Sequence, residues 1–213
     1  MEQAATRALS YYAHTGFSSA APLASLVSAL YDGPMPVPEA TQRCFDLLSA
    51  ADDRAARAGV NLALGALFAL EGRFAEAAAL LSEARGIYEA LDMKVALATM
   101  WASRKTELER LRDDLAAAEE VGRWSFDTHL MLGQAPHTAT RALILGDIAL
   151  RRGDADEARR LFELARDGAA TYDLLVQAML RSLDARLVAR QGRHDQARVS
   201  RVTELAGFRA RLS

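Results

Sequence analysis

The chain has 213 residues, of which 51% are hydrophobic and 7% aromatic, and its formal net charge is −2. That balance gives nucleic acid no electrostatic hold on the molecule as a whole, and the single cysteine, Cys44, excludes an internal disulfide and fits a reducing compartment. The longest apolar run, Val60 to Leu70 broken at Asn61, is too short to span a bilayer. Met1-Glu2-Gln3 lacks the basic start and apolar core of a signal peptide. The expected location is the cytoplasm, with no membrane partner.

Ala, Leu, Arg and Glu dominate the composition, and all are good helix formers. Three of the five prolines, Pro34, Pro36 and Pro38, fall in one turn. The expectation is an all-α chain. Of 26 basic residues only Lys94 and Lys105 are lysine, which reads as the codon bias of a high-GC genome.

Glu2 to Thr15 reads as a leading helix (1–16) closed by Gly16, with an apolar stripe of Ala5, Leu9, Tyr12 and Ala13. The first hairpin (17–51) has Leu23, Leu26, Val27 and Leu30 on one helix. A turn rich in proline follows, and then Ala40, Cys44, Leu47 and Leu48 on the next helix. Pro38 suits the start of that helix.

The second hairpin (53–91) has the clearest pattern, NLALGALFALEGRFAEAAALLSEA from Asn61 to Ala84. Leu62, Leu64, Leu67, Phe68 and Leu70 give its first helix a wide apolar stripe. Gly65 lies inside that helix, where Gly costs about 1 kcal/mol relative to Ala, a cost that close approach of another backbone offsets. Gly72 ends the helix as a glycine at C′ would. Phe74 starts the second helix, and Ala77, Leu81 and Ala84 continue its inner face.

The third hairpin (93–131) is degenerate, with Thr106 at the helix-glycine position, Asp113 at the turn-glycine position and Ala118 kept. Its second helix extends to about Met131, before a turn at Gly133. The fourth (135–168) is clean in Leu145, Gly146, Gly153, Ala158, Phe162 and Ala165, with Ala149 and Ala155 in place of aromatics. The fifth (171–212) has Ala185, Gly192 and Ala197, then Val202, Leu205 and Phe208. The turn positions Gly33, Gly72, Asp113, Gly153 and Gly192 are spaced by 39, 41, 40 and 39 residues. One repeat domain, 1–213, is expected.

Leu64, Gly65, Phe68, Gly72, Phe74, Ala77, Leu81 and Ala84 resemble a tetratricopeptide repeat, with Asn61 where that family often has Trp. The family's standard period is 34 residues, so the helices here are longer by about a turn. The order MEQAATRALSYYAHTG, ALYDGPMPVPEA, GRFAEAAALL, ALRRGDADEARRLFELA, VARQGRHDQA is similar to the C-terminal repeat region of bacterial, often actinobacterial, signalling proteins. Those carry an ATPase module preceded by a class III nucleotide cyclase domain, or joined to a DNA-binding domain in transcriptional activators. The resemblance implies a right-handed superhelix of about five hairpins and a leading helix. It implies a non-catalytic scaffold for another protein or peptide, with a small-molecule effector sensor or a homodimerisation element as alternatives.

It also implies that the first helices of successive hairpins line a groove. Its apolar N-terminal part would be Leu23, Val27, Leu62 and Ala66. Ser103, Arg104, Glu107 and Arg110 would follow, then Leu143, Asp147, Arg151, Ser182 and Arg186. Arg104, Arg110 and Arg186 are candidates to take an anionic end of the partner, against the plainer expectation that they pair within the chain. Leu62, Ala66, Leu143 and Asp147 do not match the Lys and Asn with which some family members hold a C-terminal carboxylate.

No G-x-x-x-x-G-K-[ST], H-E-x-x-H or G-x-S-x-G is present, so neither enzymatic activity, a cofactor nor a metal is expected. His14, His129, His137 and His194 have no ligand spacing. Gly153-Asp154-Ala155-Asp156-Glu157 lacks the alternating ligands of a calcium loop and reads as acid in a helix's first turn. Residues 181–213 hold eight Arg against Asp184, Asp195 and Glu204, which reads as the exposed face of a terminal helix rather than a phosphate-backbone site. Trp124, Phe126, His129 and Met131 suggest core packing at an irregular junction, or else an aromatic small-ligand pocket.

Overall fold

The computed structural model describes residues 20–51, 53–170 and 173–190, and these are all helix and turn, with no strand among them. Helix α1 is Ala20–Asp32, α2 Val37–Ala50, α3 Arg54–Leu70 and α4 Phe74–Ala90. Lys94–Ala96, a π-helical turn Leu97–Trp101 and Ala102–Leu111 run on as one helix, α5. Then come α6 Leu115–Met131, α7 Ala135–Arg152, α8 Ala155–Gly168 and α9 Leu174–Arg190. Two helices fall within each of the spans 17–51, 53–91, 93–131 and 135–168 where a hairpin is expected, and α3 packs on α4 and α7 on α8. The leading helix at 1–16 and the second helix of the last hairpin, with Gly192 and Ala197, lie outside the described residues.

The chain divides into two compact units, Met1–Ala118 and Glu119–Ser213. The boundary falls inside α6, where the repeat pattern gives no break. In the first unit α3 packs on α1, α2, α4 and α5. Every residue from Asn61 to Ala69 is buried. The sequence explains this: Ala56, Ala58, Gly59, Ala63, Gly65, Ala66 and Ala69 are small enough to let neighbours close in on every side, and a helix apolar all round is a buried helix. The stripe of α1 (Leu23, Val27, Leu30) meets Ala40 and Cys44 of α2 and Val60, Leu64 and Leu67 of α3 in one core. Cys44 is enclosed there, and burial pushes its thiol pKa up to about 11, which leaves it protonated and unreactive. In the second unit Leu143, Leu145 and Leu150 of α7, Ala158, Leu161 and Ala165 of α8 and Val176, Leu180, Leu183 and Leu187 of α9 form the core.

Two of the helix-interior glycines, Gly65 and Gly146, mark close approaches of a second helix. A Cβ on Gly65 would lie 3.2 Å from the Ala77 carbonyl oxygen and well inside contact distance of Leu81 Cδ1. A Cβ on Gly146 would lie 3.4 Å from the Ala158 carbonyl oxygen and 2.8 Å from Leu183 Cδ2. Gly65 faces Ala77 in α4 as Gly146 faces Ala158 in α8, so the two clean hairpins cross at the same place. Leu64, Phe68, Ala77, Leu81 and Ala84 are buried, and Phe74 is half-buried at the start of α4. Phe68 is covered by the Arg73 guanidinium, 3.6 Å above its ring, and by Phe45.

One turn chemistry recurs. Gly72, Asp92, Asp113, Gly133 and Gly153 all have positive φ, at 76°, 52°, 62°, 65° and 92°. At each, the next residue's N–H returns to the carbonyl five residues back: Arg73 to Phe68, Met93 to Tyr88, Asp114 to Glu109, Gln134 to His129 and Asp154 to Ala149. These are Schellman caps, which satisfy the orphan carbonyls of the helix end. Two of the five left-handed positions carry Asp, which tolerates that region at a cost glycine does not have. Asp92 makes only an exposed pair with Lys94, at 3.4 Å. Asp92→Gly is therefore expected to stabilise the chain by about 0.5–1 kcal/mol, read as a higher urea midpoint at unchanged slope.

Candidate partner-binding surface

The residues expected to line a groove fall into two groups. Leu23, Val27, Leu62, Ala66 and Leu143 are buried. They do not form an open apolar wall, because α1 packs on α3 and α3 has neighbours on every side. That part of the expected groove is corrected: these side chains are core. Ser103, Arg104, Glu107, Arg110 and Asp147 are half-buried, and Arg151, Ser182 and Arg186 are exposed.

The arginines expected to await an anion already have carboxylates. Arg110 donates to Glu107 at 2.7 Å. Arg186 pairs closely with Asp147, from α9 to α7. Arg104 of α5 reaches α1, where its guanidinium lies 3.8 Å over the Tyr31 ring with the Asp32 carboxylate 3.6 Å away. Burial raises the Tyr31 pKa above the ordinary phenol value, and Arg104 opposes that rise. The plainer expectation of intramolecular pairing is the one the structure gives at these three arginines.

Glu109 is the buried charge of α5. Its carboxylate is paired with Lys105 one turn before it and with Arg112 at 3.3 Å, two cations that offset part of the cost of burying it. In the second unit Arg123 of α6 binds Glu119 at 3.2 Å and Glu157 of α8 at 3.2 Å. Arg152 meets Glu119, and Arg160 binds Glu157 at 2.6 Å. The Arg160 hydrogen bond, then that of Arg123, hold the Glu157 carboxyl below its ordinary pKa. This network is partly exposed, so it ties helices together at modest, salt-dependent strength.

The aromatic cluster separates into two faces of α6. Phe126 and His129 are buried, whereas Trp124 and Met131 are exposed, as residues three and seven apart on a helix require. The four do not line one pocket. His129 stacks on His137 of α7, with ring centroids 4.9 Å apart and an interplanar angle of 29°. Asp156 and Glu157 lie in the first turn of α8, as expected, and Asp154 caps it by accepting from the Glu157 N–H at 3.0 Å. Among the described residues no group of three or more His, Cys, Asp and Glu could hold a metal ion. Among them, too, no helix is long and apolar enough to cross a membrane.

Trp101 is a residue that sequence reasoning missed. It is buried, its indole N–H donates to the Leu81 carbonyl of α4 at 3.1 Å, and Arg85 lies over its ring at 4.9 Å. Tyr31, Glu109 and the histidine pair were likewise unforeseen as contacts. For Glu109 a signal existed: Lys105 and Arg112 sit four before and three after it, the spacings that meet on a helix face.

No family model matches the chain, and no curated protein matches it. Among solved structures it is similar to BtubC (BKLC) from P. vanneervenii, with a TM-score of 0.61 over 99% of this chain and 90% of that one, at 18% identity. At that identity the likeness is one of fold alone.

Proposed function

We propose that the chain is a non-catalytic recognition scaffold. It is a tetratricopeptide-like, right-handed solenoid that holds another protein or peptide, as the cytoplasmic regulatory repeat region of a bacterial signalling or transcription-control protein. The observation that carries this reading is the recurrence of one hairpin geometry. Gly65 meets Ala77 as Gly146 meets Ala158, and five Schellman turns follow one another about twenty residues apart. Repeat arrays of such hairpins stack neighbour on neighbour and offer their outer faces to a partner, which is the property recognition scaffolds use.

With the apolar groove positions buried, the positions left to a partner are charged: Arg104 to Arg110 on α5 in the first unit and, separately, Asp147 and Arg186 on α7 and α9 in the second. Engaging them means exchanging an intramolecular carboxylate for one on the partner, a recognition that weakens with salt. The test is capture from source-cell lysate on the immobilised chain. The expected result is a partner retained by the native chain and lost on the doubly charge-reversed Arg110→Glu, Arg186→Glu variant. A partner held equally by that variant removes the charged surface from the proposal. Nothing retained above an unfolded control removes the scaffold reading itself. An immunoblot of source cells with a band well above 23.1 kDa is the expected result if the region serves a larger regulator.

A further inference from the structure

We propose that the His129–His137 stack is a proton-sensitive clasp on the joint between α6 and α7, closed at neutral pH and opened by acid. The geometry carries this. His129 is completely buried. Its Nδ1 lies 2.7 Å from Gln134 Oε1, so with that oxygen as acceptor the proton is on Nδ1 and the lone pair on Nε2. Nε2 is buried with no hydrogen-bond partner among the described residues. A second proton there would create a buried cation with a donor and no acceptor for it.

The same two residues close the turn through the main chain. The Gln134 N–H donates to the His129 carbonyl at 3.0 Å around the left-handed Gly133, and the Gln134 carbonyl accepts from the Thr138 N–H at 3.0 Å. The His129 side chain, Gln134 and the first turn of α7 are thus one connected unit. Moving the ring out toward water pulls on both turn bonds.

The surroundings disfavour charge. Burial, then His129, then Arg141 lower the His137 pKa below the ordinary histidine value, and no carboxylate is among the groups acting on it. Arg141, one turn further along α7, is itself buried. On α8, Glu157 is engaged by Arg160 and Arg123 and Asp167 by Arg166, while Asp156 and Glu163 are exposed. Asp147 of α7 is engaged by Arg186 of α9, whose own acid, Asp184, is half-buried. Asp127, on α6 just before His129, is exposed. A histidine whose folded pKa is lowered takes its proton more readily when released, so the clasp loses stability as pH falls through the unfolded histidine value, about 6.5, toward the folded one.

The next turn supplies an internal control. Asp154 N–H to the Ala149 carbonyl, and Ala158 N–H to the Asp154 carbonyl, repeat the two bonds without a histidine. The experiment is amide hydrogen exchange of the full chain between about pH 7.5 and about pH 5.5, a window that brackets the histidine range. Rates are corrected for intrinsic exchange. Protection at Gln134 and Thr138 is expected to fall about tenfold relative to Asp154 and Ala158, the low end of the cost of a buried polar group left without a partner. His129→Phe, which keeps a ring but takes no proton, is expected to abolish the fall, and the exposed His137→Gln, which leaves the buried Nε2 of His129 in place, to keep part of it. A ratio that stays flat with pH in the native chain overturns the proposal, and so does a fall of the same size in His129→Phe or, where that variant does not fold, in His129→Gln.

Discussion

Gly65→Val is expected to destabilise the protein by about 3 kcal/mol, the upper part of the range for forcing volume into a packed interior. The new Cβ meets Leu81 Cδ1 and, behind it, the Ala77 carbonyl oxygen at 3.2 Å. The leucine can turn aside only into a core already closed by α1, α2 and α5 around α3. The carbonyl belongs to the α4 ladder and moves only with its helix. Gly146→Val should cost less, because its sharpest conflict, at 2.8 Å, is with the tip of the Leu183 side chain and its carbonyl neighbour is farther off, at 3.4 Å. Gly86 is the contrast. It lies exposed on α4 with nothing within 4 Å of its would-be Cβ. Gly86→Ala should stabilise by up to about 1 kcal/mol through helix propensity. Urea unfolding of the three variants gives the ranking directly. Equal midpoints for Gly65→Val and the parent would refute the close crossing of α3 and α4.

Trp101→Ala is expected to cost about 4 kcal/mol, as removal of a buried tryptophan does. The ring fills the space between α5 and α4, and its loss leaves a cavity that two packed helices cannot collapse. Trp101→Phe separates the ring from its hydrogen bond. The Leu81 carbonyl keeps its place in the α4 helix ladder, so the cost there is the indole bond and the lost volume, about 1–2 kcal/mol. A phenylalanine variant as unstable as the alanine one would mean that the indole N–H, not packing, holds α5 to α4.

The helices were legible because their signals are local. Glycine at a helix end, apolar residues three and four apart and proline at a helix start each act within a few residues. They placed the helices from α1 to α8, the turn at Gly133 and the acid in the first turn of α8. What was not legible is long-range. Leu62 and Ala66 look like one face of a helix with another face to spare. Only the packing of α3 against four helices shows that it has none. Arg104 and Tyr31 are 73 residues apart in sequence, and nothing near either announces the other. The π-helical turn at Leu97–Trp101 has no glycine or proline to mark it. Asp92 escaped notice as a left-handed residue, although its position midway between Gly72 and Asp113 was a usable clue. The charged candidates Arg104 and Arg110 lie half-buried and Arg186 exposed. Their partners Asp32, Glu107 and Asp147 came only with the fold.

The most direct measurement is the mass of the complex formed when the purified chain is mixed at micromolar concentration with the partner recovered by capture, by light scattering coupled to size exclusion. The account predicts a discrete complex of fixed stoichiometry, weakened by salt, from which both proteins are recovered chemically unchanged. Two separate peaks at every ratio, or a partner that emerges covalently altered, would contradict it.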